Sequence, residues 1–377
     1  MRIVSVTADI DSGGSAKSLF VLARALAAEG HALHIMSIAR PSRTRRKVEA
    51  LREMGVEVSF FDIPYFPLKL IVCPIPFWRN MRRALLRHRE FARLVQAVRA
   101  FAPDVVHYNS YTTLHAAALL GRYPAVLHAR EVLVEPHWML PLVRRLMRAS
   151  IDAVIAISPE EGEQAARLFG LPVTTIFNAP LRPPRLEPMP EAPPLAYGAF
   201  SHITPIKGQL ELVRACALAA GALRKAGVRL KIFGGAVGIH QAYHDAVAGE
   251  IASLGIADVA TLAGFTDQPE AEMRRVHLIV RPDATGQPWG RDVIESMSMG
   301  RPVLATGSSR TFIRPGENGM LVPPRDIPAL ADALARLADL RTLQEMGQAA
   351  YAFARDHFDP GTNIRNTIAA LARTAGK

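Results

Sequence analysis

Gln287-Pro-Trp-Gly-Arg-Asp-Val-Ile-Glu-Ser-Met-Ser-Met-Gly-Arg-Pro-Val303 is the stretch on which the reading of this chain turns. It begins with a glycine-containing turn at Gly290. A helix follows that carries a carboxylate at Glu295 and stops at Gly300, and residues 302–306 read as a strand. Unpaired backbone N–H groups at a helix start favour a phosphate, and a carboxylate one turn further in accepts hydrogen bonds from ribose or sugar hydroxyls. The combination points to an α/β domain that holds a nucleotide sugar; the competing reading is an ordinary loop, helix and strand of such a domain.

The rest of the chain sets the frame. With 377 residues, 49% hydrophobic and 21% charged, it is long enough for two domains with separate cores and has the balance of a soluble globular protein. Cys73 and Cys216 are its only cysteines, too far apart in sequence to indicate a disulfide framework or a zinc site, which fits a reducing cytoplasm. The opening run Met1-Arg-Ile-Val-Ser-Val-Thr-Ala8 is too short for a signal peptide and reads as a buried strand. The longest apolar stretch, 68–78, is interrupted by Pro74 and Pro76, so no helix of that composition spans a bilayer.

Strand and helix alternate along the first half, with strands expected at 3–7, 32–38, 56–62, 105–109, 125–129, 153–158 and 174–178. Helices are expected between them, among them 18–29 and 160–168. Short apolar strands separated by helices predict a parallel, doubly wound sheet. Residues 181–194 are a proline-dense linker that cannot be helix interior or central strand. The pattern restarts with strands at 195–200, 229–234, 259–263, 277–281 and 302–306, followed by a short strand at 320–322 and a helix capped by Asp326. The expected division is an N-terminal domain over 1–180, the linker 181–194, a second domain over 195–358, and over 359–377 a terminal helix that resembles those which cross back to the N-terminal domain in two-domain proteins of this kind. Two Rossmann-like halves result, with ligands expected at the carboxyl ends of their strands, in a cleft between them.

The stretch 287–303 resembles the Glu-x7-Glu signature of retaining glycosyltransferases of family 4, which have the GT-B fold, and the resemblance extends over nearly the whole chain. The first Glu of that signature is Gln287 here. Membership of that family implies roles for individual residues. Gly13, Gly14 and Ser15, after the first strand, match the family's Gly-Gly loop, which faces the sugar diphosphate and the acceptor. His128, at the end of the fifth strand, stands where many members touch the donor sugar. Arg130 and Glu131 beside it either pair or line the acceptor side. In the second half, residues 201–208 occupy the place of the family's Gly-Arg-Leu-x-x-x-Lys-Gly, whose cations hold the diphosphate against the charge that builds as the sugar departs. Lys207 is retained, whereas the Arg is His202. By the same resemblance Gly234 lies in the glycine turn beneath the nucleotide, Gly290 and Arg291 lie at the phosphate, Gln287 by the donor sugar and Glu295 on the ribose.

The resemblance thus implies a retaining hexosyltransferase moving sugar from a nucleoside diphosphate donor to a glycan or polyprenyl-linked acceptor, in bacterial surface polysaccharide or lipopolysaccharide assembly. No cofactor is expected. The one Asp-x-Asp triplet, Asp9-Ile-Asp11, reads as structural, so no catalytic metal is expected and cationic side chains take over charge neutralisation. The net charge of +11 is concentrated over residues 40–99, where fourteen Lys and Arg face five Asp and Glu. Residues 80–101 read as a basic amphipathic helix with Met81, Leu85, Phe91, Val95 and Val98 inside. Together with the apolar 66–78, the segment 66–99 fits either an anionic membrane surface, placing the protein peripherally on the inner face of the cytoplasmic membrane, or a solvated helix on the core. Nucleic acid is not expected, because aromatic and basic residues do not interleave. The changes at His202 and Gln287 leave an alternative, a catalytically silent homologue that binds a nucleotide sugar or glycan and scaffolds a complex. A sugar-nucleotide epimerase on the same fold is a third reading.

Overall fold

The structure is a computed structural model that describes residues 1–10, 13–38, 46–64, 82, 85–121, 123–133, 140–236 and 240–376. It divides into two compact units, Met1–Asn178 with Gly361–Lys377, and Ala179–Pro360.

The first unit is a seven-stranded parallel sheet: β1 (Arg2–Thr7), β2 (Ala32–Ser37), β3 (Glu57–Phe60), β4 (Val105–Asn109), β5 (Ala125–Ala129), β6 (Ala153–Ala156) and β7 (Val173–Thr175). Its spatial order is β3-β2-β1-β4-β5-β6-β7, so the winding reverses between β1 and β4. Register is set by burial on both faces. Ile3 pairs with Leu33 on one side and Val105 on the other, all three buried, as a parallel sheet covered by helices requires. The helix Gly13–Ala28 packs Ala16, Leu19, Leu22, Ala23 and Leu26 on this sheet. That spacing of three and four carries the helix back to Gly13, five residues before the expected start, and Gly13 and Gly14 form its first turn rather than a preceding loop. The closing helix, Pro360–Thr374, contributes Ala370 and Leu371 to the core around Ile3, Leu19 and Val126.

The basic helix differs from expectation. It spans His88–Phe101 and buries Leu94, Val98 and Phe101, while Leu85, expected inside, precedes it and is 70% exposed. Phe91 and Val95 pack partly buried against the same core, so the expected inner face holds within the helix and fails only at Leu85, ahead of the Arg87 cap. Met81 and the apolar run 66–78 lie outside the described residues.

The second unit repeats the plan with six parallel strands: β8 (Leu195–Phe200), β9 (Val228–Phe233), β10 (Ala260–Gly264), β11 (Leu278–Arg281), β12 (Val303–Thr306) and β13 (Gly319–Val322). The order is β10-β9-β8-β11-β12-β13, with the reversal between β8 and β11. Asp326 caps the helix Ile327–Arg336 by accepting from the Ala329 N–H. The proline-rich segment is ordered by Arg301. This fully buried guanidinium donates to the carbonyls of Glu187, Pro188, Met299 and Arg274, at 2.7 to 2.9 Å.

Candidate functional site

In a doubly wound sheet the loops at the carboxyl ends of the strands part at the reversal of winding, and ligands bind there. Each unit brings polar side chains to that place.

In the second unit, the loop after β8 and the loop after β11 are pressed together. Gly208, at φ +66°, closes the turn Pro205–Lys207; a Cβ on it would lie 1.8 Å from the Pro282 carbonyl oxygen. Gly234, at φ +151° after β9, would put a Cβ 1.8 Å from the Ser201 oxygen. Only glycine fits at either position. Buried Gln209 ties the first loop to itself by donating to Ser201 Oγ (2.9 Å) and to the His202 carbonyl (3.0 Å). The turn therefore holds Lys207 and His202 beside β11.

Ion pairs fill the site. Lys207 Nζ bonds Asp283 Oδ2 at 2.7 Å. Arg281, the last residue of β11, donates to both oxygens of Asp292 (2.7 and 2.9 Å) and through Nε to the Gln287 carbonyl (2.9 Å). Gly290 leaves room for that pair, since a Cβ there would lie 2.5 Å from both Arg281 Nη1 and Asp292 Oδ1. Asp292 is thus the partner of Arg281. Arg291 bonds Glu295 at 2.8 to 2.9 Å, one helical turn away. Trp289 is anchored edge-on against Phe312, with ring centroids 5.9 Å apart.

Electrostatics follow from burial. Asp283 would be pushed up by desolvation, but Lys207 and Arg281 override this and hold it below the usual carboxylate range. His202 is pushed down by burial and then by Lys207, so it is neutral in the ligand-free protein and adds no charge. The helix carrying Glu295 spans only Arg291–Met297.

In the first unit, Ser15, Asn109, His128 and Arg130 meet at the ends of β1, β4 and β5. Asn109 is fully buried; it donates to Thr7 Oγ1 (3.1 Å) and Ser15 Oγ (2.9 Å) and accepts from Arg130 Nε (2.7 Å). Arg130 also reaches Asn178 Oδ1 at 2.9 Å. His128 is 3% exposed, and its Nδ1 lies 3.3 Å from both Arg130 Nη2 and His107 Nε2. A guanidinium only donates, so Nδ1 accepts and the ring proton belongs on Nε2. That nitrogen is buried and finds no partner among the described residues, which leaves a donor for a bound hydroxyl or phosphate oxygen. Burial, then Arg130 and then His107, drives the His128 pKa well down and keeps the ring neutral. Glu131 rises to about 7, chiefly by desolvation.

Sequence reasoning passes over Asn109, Arg281 and Asp283. Their signal is a polar or charged residue closing an otherwise apolar strand, as in Val105-Val-His-Tyr-Asn109 and Leu278-Ile-Val-Arg281. Among the described residues no group of His, Cys, Asp and Glu is placed to hold a metal ion.

Known proteins share this architecture. Residues 12–179 match the model of Glycosyltransferase Family 4, and residues 195–339 match that of Glycosyl transferases group 1. The chain is 38% identical over 91 residues to a phosphatidyl-myo-inositol mannosyltransferase of Mycobacterium leprae, covering 24% of each chain. It is 31% identical over 163 residues to a D-inositol 3-phosphate glycosyltransferase of Acidothermus cellulolyticus, covering 42% of this chain and 36% of the other. These matches span well under half the length of either relative. The crystal structure of Anabaena HepE with UDP and glucose superposes with a TM-score of 0.78 at 21% identity, over 99% of both chains. Each matched region lies on one of the two Rossmann-like units, so the chain has the GT-B fold, with a match to the family 4 glycosyltransferase model on the first unit and to the group 1 glycosyltransferase model on the second.

Proposed function

We propose that this protein moves a hexosyl group from a nucleoside diphosphate sugar to a hydroxyl of a glycan or lipid-linked acceptor, with retention of anomeric configuration, in bacterial surface polysaccharide assembly. The observation that supports the proposal is the close approach of the loops after β8 and β11, where Lys207 pairs with Asp283, Arg281 holds the Gln287 carbonyl, and Gly208 and Gly234 clear the backbone for close approach. Lys207 faces the diphosphate and offsets the charge that collects on it as the C1–O bond breaks. The acceptor oxygen bonds to C1 on the face that the leaving group vacates, and the acceptor proton passes to the departing diphosphate oxygen. Gln287 keeps the shape of the family's first Glu and one acceptor oxygen but not its charge, which suits a donor sugar that receives a hydrogen bond from an amide. His128 supplies a neutral Nε2–H donor, and Glu295 accepts from ribose hydroxyls. No metal or cofactor takes part in this scheme.

The membrane is the second partner in this reading. Leu85 and Leu86 are exposed beside Arg82 and Arg89, an arrangement that suits an anionic bilayer surface and a polyprenyl-linked acceptor. Among the described residues no helix is long and apolar enough to cross a membrane.

HepE was solved with UDP, so uridine diphosphate sugars come first in the test. The purified protein is incubated with each donor and a bacterial membrane extract, and the product's anomeric proton coupling is read by NMR. A new glycoside with the donor's anomeric configuration is expected; an inverted product would overturn the retaining assignment.

A further inference from the structure

The donor-side charges balance before any ligand arrives. Lys207, Arg281 and Arg291 each lie within 4 Å of a carboxylate, those of Asp283, Asp292 and Glu295. A diphosphate entering this place must take cationic charge that already has an owner.

The Lys207–Asp283 pair is the one built to exchange. Asp283 is 1% exposed and fixed from several sides: Oδ1 accepts from the Thr285 N–H and hydroxyl, and its carbonyl accepts from Thr306 Oγ1 at 2.6 Å. Its neighbour Arg281 stands at 3.6 Å but spends its closest hydrogen bonds on Asp292 and the Gln287 carbonyl. Lys207 is the mobile partner, a flexible ammonium stem with a quarter of its side chain exposed. When Lys207 turns to an anion, the buried Asp283 keeps only the more distant Arg281, and a poorly compensated buried carboxylate is costly. Asp283 also repels the incoming phosphates directly.

We infer that Asp283 is a positioning residue that competes with bound diphosphate for Lys207, so that the nucleoside diphosphate product is held weakly and leaves. The inference rests on the reading of Lys207 as the diphosphate ligand. It gives Asp283 a role opposite to that of a residue which merely props Lys207 in place, for then loss of the carboxylate would weaken binding.

The probe is inorganic pyrophosphate, which carries the diphosphate without committing to a nucleobase. Its affinity is measured by 31P NMR titration for the wild type, Asp283→Asn, Lys207→Gln and the double variant. Asp283→Asn is expected to bind about 5–10 times more tightly, within the span typical of coupled neighbouring charges, and most of the gain is expected to be lost in the Lys207→Gln background, where only the relief of direct repulsion remains. Lys207→Gln alone is expected to weaken binding. If Lys207→Gln weakens binding but Asp283→Asn leaves it equal or weaker, the competition is overturned while the donor site stands. If Lys207→Gln binds as the wild type does, the donor-site reading fails and the inference with it. Should Asp283→Asn not fold, Asp283→Ser removes the same charge and faces the same outcomes.

Discussion

At the scale of single residues, the site depends on groups whose substitution has separable effects. Gln287→Ala removes the amide assigned to the donor sugar and is expected to lose most turnover while melting like the wild type; near-normal turnover takes Gln287 out of the site. Gly234→Ala places a Cβ 1.8 Å from the Ser201 oxygen at a φ of +151°, so the loops after β8 and β9 must separate. A stability loss on the order of 2 kcal/mol or more is expected in chemical unfolding, and an unchanged midpoint would contradict the packing described. These residues also mark how far the sequence is legible. Arg291 and Glu295 are four apart on one helix, so their pairing can be read from spacing alone. Lys207 and Asp283 are 76 residues apart and meet only because β8 and β11 are neighbours across the reversal of winding. Asn109 is invisible in the sequence for the same reason: its partners Thr7, Ser15 and Arg130 come from three separate segments.

At the scale of elements, strands are legible where they are short apolar runs, and their ends move by one to three residues. The strand read at 56–62 is only Glu57–Phe60, and that at 174–178 is Val173–Thr175, although Phe61 and Ile176 still donate to Ser37 and Ala156 of the neighbouring strands. The basic helix and its inner face at Phe91, Val95 and Val98 are legible but its start is not, because nothing in the composition marks the cap at Arg87. The basic sequence leading into it carries the membrane proposal: neutralising Arg82, Arg83 and Arg87 together is expected to abolish sedimentation with anionic liposomes. Part of that loss will come from Arg87, which bonds Asp62 at 2.7 Å and holds the helix to the core. Binding that survives all three changes returns the helix to a solvated surface. The linker makes a different prediction. Arg301 fastens it by the carbonyls of Glu187 and Pro188 to those of Met299 and Arg274, and burial lowers the Arg301 pKa to about 10 without discharging it near neutrality. Each buried carbonyl left unpaired costs about 1–3 kcal/mol. Arg301→Leu is therefore expected to unfold at clearly lower denaturant and to open residues 181–194 to limited proteolysis; protection equal to the wild type would contradict the clamp.

At the scale of the molecule, the doubly wound halves are legible because βαβ alternation on either side of a proline-dense stretch admits few other folds. The distribution of charge within the cores is not. His107, His115 and His128 are all buried in the first unit and pushed down by desolvation, the first to about 3 and the second to about 4. Unfolded, each would titrate near 6.5, so below that pH the unfolded chain binds protons that the folded one refuses. Stability is then complete above about pH 6.5 and falls as pH drops, by about 1.4 kcal/mol per pH unit for each histidine. Calorimetry at pH 7 and pH 5 is expected to show the melting temperature drop at the lower pH, and a flat profile would mean these rings are hydrated. Whether the second unit holds a nucleoside diphosphate sugar through Lys207 and Glu295 is decided by saturation-transfer NMR against a panel of such donors, on the wild type, Lys207→Ala and Glu295→Ala. Saturation transfer to one donor is expected in the wild type, with its loss in both variants and release of the nucleoside diphosphate only when membrane extract supplies an acceptor; a donor that binds equally well to all three proteins, or no donor binding at all, would refute the assignment.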